Sequence, residues 1–255
     1  MSALHLTISG PVAEIRLDNP EKLNALTVTM LEALESHCAA IERDSDVRSV
    51  IVTAEGERAF CAGADIEAWS KLSAAEFARH WVRNGHRVFD RLARLSKPTV
   101  AALSGHAFGG GLELAATCDI RVMAPGATLG LPEANVGIVP GWSGTQRLRR
   151  LLPEPVIKEM ALFGRRISAE RALGLGFVAD VSENAREAAR EIALGAAKLS
   201  PRAVEVAKNM IHAGAGEDSA ALIEALGSAA ISASEDSDEG VAAFREKRKP
   251  IFAGR

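Results

Sequence analysis

The residues best suited to chemistry lie in residues 104–114, SGHAFGGGLEL, where a glycine triplet precedes Glu113. The run before it, TVAAL at residues 99–103, follows Pro98 and is small or β-branched, so it reads as a buried strand. An apolar, alanine-rich run follows and reads as a helix, so the triplet stands where strand becomes helix. Helix starts leave backbone N–H groups unpaired and carry partial positive charge. Glycines let another group approach those donors closely, which suits an anion or oxyanion. Glu113 falls within the first turn, where a carboxylate could face the same cavity. Alone, such a turn also reads as a close packing corner.

Two further stretches change that balance. Residues 59–66, AFCAGADI, form a second small-residue loop ahead of a short helix. Alone it reads as a packing loop; beside the first, it could supply a second backbone N–H, and two convergent donors can hold a developing thioester enolate oxygen. Residues 131–141, LPEANVGIVPG, place Glu133 among prolines, glycines and aliphatics. Desolvation there would raise its pKa toward neutrality and suit it to trading a proton. The structural alternative is a carboxylate that pairs an arginine or caps a helix.

The elements that must position these loops are readable in outline. Residues 4–8 and 12–17 alternate around Gly10-Pro11, which predicts a β-hairpin. Residues 18–26 are a polar loop, and Thr27 caps a helix to about Arg43. Strands are expected at residues 47–53, 119–123 and, briefly, 127–130. Residues 73–95 read as one long helix with Phe77, Trp81, Val88, Phe89 and Leu92 inward. His80 and His86 on it read as surface or interhelical contacts. Another helix is expected to open at Ser143, with Arg147 structural or interfacial. From Pro153 the pattern is helical, with a turn and strand near residues 174–181. Helices follow at about 183–198, 201–213, 217–233 and 235–247. The basic tail at residues 244–250 reads either as a solvated face or as a patch that meets phosphates.

Composition bounds the rest. The chain has 255 residues, 47% of them hydrophobic and 25% charged, enough for a sizeable core. A net charge of −3 and the lack of an aromatic-basic stripe argue against a nucleic-acid partner. No apolar run reaches the ~18 residues of a membrane span, and no signal-peptide pattern is visible. Cys38, Cys61 and Cys118 are odd in number and far apart, without metal or disulfide spacing. That favours a reducing compartment, and a cytoplasmic location is expected.

Taken together, five motifs resemble the enoyl-CoA hydratase/isomerase (crotonase) family: NPEKLNAL at 19–26, AFCAGADI at 59–66, GHAFGGGLEL at 105–114, LPEANVGIVPGWSGTQRL at 131–148 and FREKRKPIF at 244–252. They stand in the family's order and span essentially the whole chain. The resemblance implies an α/β fold, a crotonase-like β-β-α superhelix over residues 1–195. It also implies a C-terminal helical trimerisation region over residues 196–255, and a homotrimer or a hexamer made as a dimer of trimers. It implies an oxyanion hole from the amides of Ala64 and Gly110. Glu113 would activate water and Glu133 would deliver the α-proton in hydrating a 2-trans-enoyl-CoA to a 3-hydroxyacyl-CoA, as in fatty-acid β-oxidation. The acyl-CoA thioester would be bound by Lys22, Leu23, Ala25, Ala62, Asp65, Ile66, Gly109 and Trp142. Lys247 would approach phosphates. No metal or redox cofactor is implied, and coenzyme A enters as part of the substrate. A carnitinyl-type dehydratase would use the same two acids, whereas a double-bond isomerase usually needs one. Trp142-Ser143 stand where hydratases often carry small residues, so the indole either narrows the acyl pocket or packs away from it.

Overall fold

The computed structural model describes residues 2–255. Its strands are β1 (Ala3–Ser9), β2 (Val12–Asp18), β3 (Ser49–Ala54), β4 (Ala59–Cys61), β5 (Thr99–Leu103), β6 (His106–Phe108), β7 (Ile120–Met123), β8 (Thr128–Gly130), β9 (Ile167–Ser168) and β10 (Asp180–Val181). Period-two alternation builds the predicted hairpin, with β1 antiparallel to β2 and Gly10 at φ 60° in the turn. The hairpin edges a sheet of order β1-β2-β3-β5-β7-β10, parallel from β2 onward. A second, smaller sheet has the order β4-β6-β8-β9.

The chain therefore alternates between sheets. β3 is followed by β4, β5 by β6 and β7 by β8, and helical or irregular segments return it to the first sheet. This is the β-β-α superhelix. Every residue of β3 and β5 is buried, as expected for parallel strands covered on both faces. On one face Ile51, Val100, Ala102 and Val122 meet Ala185, Ala189 and Ala193 of the Ala185–Ala196 helix. On the other, Val50, Val52, Ala101 and Leu103 join the main core with Met30, Leu31, Leu34, Phe89 and Leu92. Thr27 caps the Val28–Arg43 helix by accepting the Met30 N–H, as its position predicts.

Three local expectations need correction. The strand that runs into the glycine triplet is β6, a three-residue strand of the second sheet, and the helix after it, Gly110–Ala115, is short. Residues 73–95 are helical but not uniform: Ala74–Glu76 passes into a π turn, Phe77–Val82, before the Arg83–Ala93 helix. A π turn holds one more residue than an α turn, and here Phe77, Trp81 and Val82 all reach one cavity. The helix expected to open at Ser143 begins instead at Leu148; Ser143 has φ 86°, a left-handed conformation that a helix cannot use.

The fold divides into two compact units, one ending at Val204 and one comprising Glu205–Arg255. Within the second, the Ser219–Ser232 helix is followed by Glu235–Glu246, capped by Ser234. The Asp236 carboxylate accepts the Ala253 and Gly254 amides, and Arg248 pairs with Glu239, which fastens the tail. No helix among the described residues is long and apolar enough to cross a membrane.

Candidate active site

The loop at residues 19–26 and the loop at residues 59–66 are stitched together by main-chain bonds. Ala62 N–H donates to the Leu23 carbonyl at 2.9 Å, Leu26 N–H to Gly63 at 2.8 Å and Asp65 N–H to Leu26 at 2.8 Å. Leu23 and Asn24 take positive φ values of 53° and 56° to make this approach. Asn24 offsets the strain: its amide donates to the Glu55 and Ala59 carbonyls, and its carbonyl accepts the Asn19 N–H. The parallel bridge between Leu26 and Ala64 uses the Gly63 carbonyl as acceptor and the Asp65 N–H as donor, on either side of Ala64. The Ala64 N–H therefore takes no part in it.

The glycine turn supplies the facing wall. Gly109 has φ 51° and donates to the Gly130 carbonyl at 2.9 Å, which ties the turn to β8. Gly110 opens the helix, so its N–H has no intrahelical acceptor. The two loops nearly touch: a Cβ built on Gly63 would lie 3.4 Å from the Gly110 nitrogen, and one built on Gly110 3.6 Å from the Ala64 nitrogen. Side chains larger than hydrogen at Gly63 and Gly110 would fill the space between them.

Both acids face the same cavity, of about 220 Å³, together with Ala64 and Gly110. Glu113 is buried on the first turn of its helix. Its Oε1 accepts the Trp142 N–H at 2.8 Å and the Gly144 N–H at 2.6 Å. Burial pushes its carboxyl up to about 6, opposed by those two amides and the Arg147 guanidinium. Glu133 opens a 3-10 turn, Glu133–Val136, and its Oε2 is buried without a hydrogen-bond partner. Burial pushes it further, to about 7, and the Glu113 charge adds to the shift. The carboxylate with amide donors is thus the more readily ionised of the two.

The remaining expected residues fall in four places. Ala62, Ile66, Gly109 and Trp142 line the same cavity as the acids. Leu23 and Ala25 are backbone partners in the adjoining loop. Lys22 stands outside it, donating to Asp65 at 3.0 Å and to Glu67 at 2.7 Å. Asp65 also caps the Ile66–Trp69 helix, so its carboxylate is already engaged by the protein. Lys247 ends the Glu235–Glu246 helix of the second unit in a left-handed conformation. Trp142 both packs and lines: its ring lies 5.1 Å from Trp81 and 5.2 Å from Phe89, while a Cβ on Gly110 would meet it at 2.8 Å.

Some of the site is missed by sequence reasoning. Trp69, Phe77, Trp81 and Val82 complete the apolar wall with Ile138 and Val139. Phe77 and Trp81 are legible only as inward residues, since core and pocket share one face. The turn that holds Glu113 is braced by Ser143, whose Oγ lies 2.9 Å from His86 Nδ1. Arg147 is buried beneath it and donates to Asp90 at 2.5 Å. The available signal for that brace is the Ser143-Gly144 pair, a turn dipeptide.

Comparison with known proteins gives the chain's relatives. A family model described as enoyl-CoA hydratase/isomerase matches residues 7–255. The chain is 38% identical over 244 residues to a short-chain-enoyl-CoA hydratase of Clostridium acetobutylicum, covering 94% of this chain and 93% of that one. It is also 38% identical over 263 residues to a carnitinyl-CoA dehydratase of Salmonella typhi, covering 99% of each. A crystal structure of an enoyl-CoA hydratase from Bacillus anthracis superposes with a TM-score of 0.80 at 36% identity, covering 99% of both chains.

Proposed function

The chain belongs to the enoyl-CoA hydratase/isomerase family, and from that premise we propose that it is a 2-enoyl-CoA hydratase, a hydro-lyase. The observation that carries this reading is the pair of carboxyls, one raised to about 6 and one to about 7, on a cavity that also holds Ala64 and Gly110. Between those values Glu113 is the better base and Glu133 the better acid. The thioester carbonyl sits between the two loop amides, which hold the negative charge that grows on oxygen as water adds. Losing such a donor typically costs roughly 3–4 kcal/mol of barrier.

The steps balance without a metal or redox group. Water oxygen bonds to the β-carbon while one of its protons passes to Glu113. The α-carbon then takes the Glu133 proton as the enolate collapses to the thioester. Glu113 ends protonated and Glu133 ionised, so a proton must return from one to the other, directly or through solvent, before the next turn. Coenzyme A lies along the Lys22–Ala25 loop and the Ala62–Ile66 segment in this reading. Lys22 exchanges its carboxylate partners for a phosphate.

Dehydration of a carnitinyl-type acyl-CoA is the second reading, supported by the Salmonella relative and by an aromatic wall of Trp69, Phe77, Trp81 and Trp142. Aromatic faces attract quaternary ammonium groups. An acyl-CoA panel separates the two by which substrate turns over, a plain 2-enoyl thioester or one that carries a trimethylammonium group, and mass separates hydration from isomerisation, since only hydration adds water. Turnover of trans-2-enoyl thioesters is expected. Glu113→Gln and Glu133→Gln should each lower kcat about 10²–10⁴-fold. The wild-type rate should pass through a maximum between pH 6 and 7, the limbs belonging to the coupled pair. A well-folded protein inert toward every enoyl-CoA, or near-normal rates in either variant, would overturn the reading.

A further inference from the structure

A second cavity, of about 910 Å³, lies against the outer side of the acyl pocket. Val82 and Gly141 line both cavities. The partition is thin: a Cβ on Gly141 would lie 3.5 Å from each Val82 methyl, so one valine side chain stands against bare backbone. The π turn Phe77–Val82 forms this wall. It presents Phe77, Trp81 and Val82 to the catalytic cavity, and Arg79 and His80, with Arg83 just beyond, to the outer one. Wide turns of this kind recur at functional sites.

The outer cavity is basic. Arg79, His80, Arg83, His86 and Arg87 line it, with Asp90 as its one acid. Asp90 is already engaged by Arg147, and Arg87 by Glu35. Arg79 and Arg83 have no carboxylate partner among the described residues. A basic helix face on a convex surface needs no ligand. Here the two guanidiniums line a concavity that shares a wall with the reacting centre. Guanidinium is also the side chain best matched to a carboxylate.

Resting on the hydratase reading above, we propose that Arg79 and Arg83 form an anion subsite for a carboxylate at the far end of the acyl chain. The substrate class is then an ω-carboxylated 2-enoyl-CoA, whose chain reaches the outer cavity when the Val82 side chain turns away from Gly141. The same charge opposes a trimethylammonium group, which sets this inference against the carnitinyl-type alternative. Water still adds at the β-carbon as before; the arginines fix where the distal end of the chain rests.

The test compares enoyl-CoA pairs of equal carbon number that differ only in an ω-methyl or an ω-carboxylate end, at several chain lengths. At one or more lengths the ω-carboxylate should have a kcat/KM about tenfold higher or more, carried by KM and weakened by added salt. An Arg79→Gln/Arg83→Gln variant should lose that advantage and keep its rate on the ω-methyl partner. Preference for the ω-methyl member at every length, or an advantage that survives in the variant, overturns the subsite while leaving the hydratase reading standing. Turnover of neither member removes both.

Discussion

Glu133 shows what desolvation does to a single side chain. Its buried Oε2 finds no donor, and its carboxyl rises to about 7. A folded-state pKa above the ordinary value means that the native protein holds the proton more tightly than the unfolded chain. That contribution to stability is full below the ordinary carboxylate range and disappears as pH rises through about 7. Glu133→Gln keeps the shape and removes the ionisation. It should therefore stabilise the protein by ~1–3 kcal/mol at pH 8 and by little at pH 4. Thermal melts across that range check it; equal shifts at both ends would contradict the assignment. Glu113 and Glu133 are legible in the sequence from their neighbours: one follows glycines at a helix start, the other lies among apolar residues. The two amides that lower Glu113 are not legible. They come from a turn whose Ser143 takes φ 86°, and no local signal demands that conformation of a serine.

At the scale of elements, the site is made by loops that approach each other through missing side chains. Gly111 is the tightest case, since a Cβ there would fall 2.1 Å from the Cys61 carbonyl oxygen. Backbone cannot yield as a flexible side chain can, so Gly111→Ala should lower stability by about 1–3 kcal/mol or more. Gly174→Ala, where nothing lies within 4 Å, is the control and should be close to neutral. Chemical denaturation midpoints decide this, and a Gly111→Ala protein as stable as the control would mean that the loops are looser than described. The glycine triplet is visible in the sequence as a turn. The three-residue strand before it, His106–Phe108, is not, because so short a segment has no period to read. The π turn is hidden for a related reason: Phe77, Trp81, Val88 and Leu92 fit an ordinary helical face closely enough to mask the extra residue.

For the molecule as a whole, the superhelix is legible through the resemblance that five ordered motifs carry; the first four lie where a strand gives way to a helix or an irregular segment, and the fifth spans the end of the last helix and the tail. The C-terminal unit leaves large apolar side chains bare: Ile211 is 71% exposed, Ile223 70%, Phe244 85% and Ile251 82%. Covering such side chains on association would remove apolar area from water. We expect trimers, or trimers in pairs, by light scattering on the eluting protein, and a monomer at working concentration would refute that expectation.

The chain has three tryptophans and no tyrosine, and Trp69, Trp81 and Trp142 all border the cavity that Glu113 and Glu133 share. Its near-ultraviolet emission therefore originates at that cavity, with no tyrosine emission elsewhere to dilute it. A non-reacting acyl-CoA analogue should quench or shift this light on binding, so occupancy can be titrated without a label. Silence of the emission at saturating analogue would place the acyl group somewhere other than among these indoles.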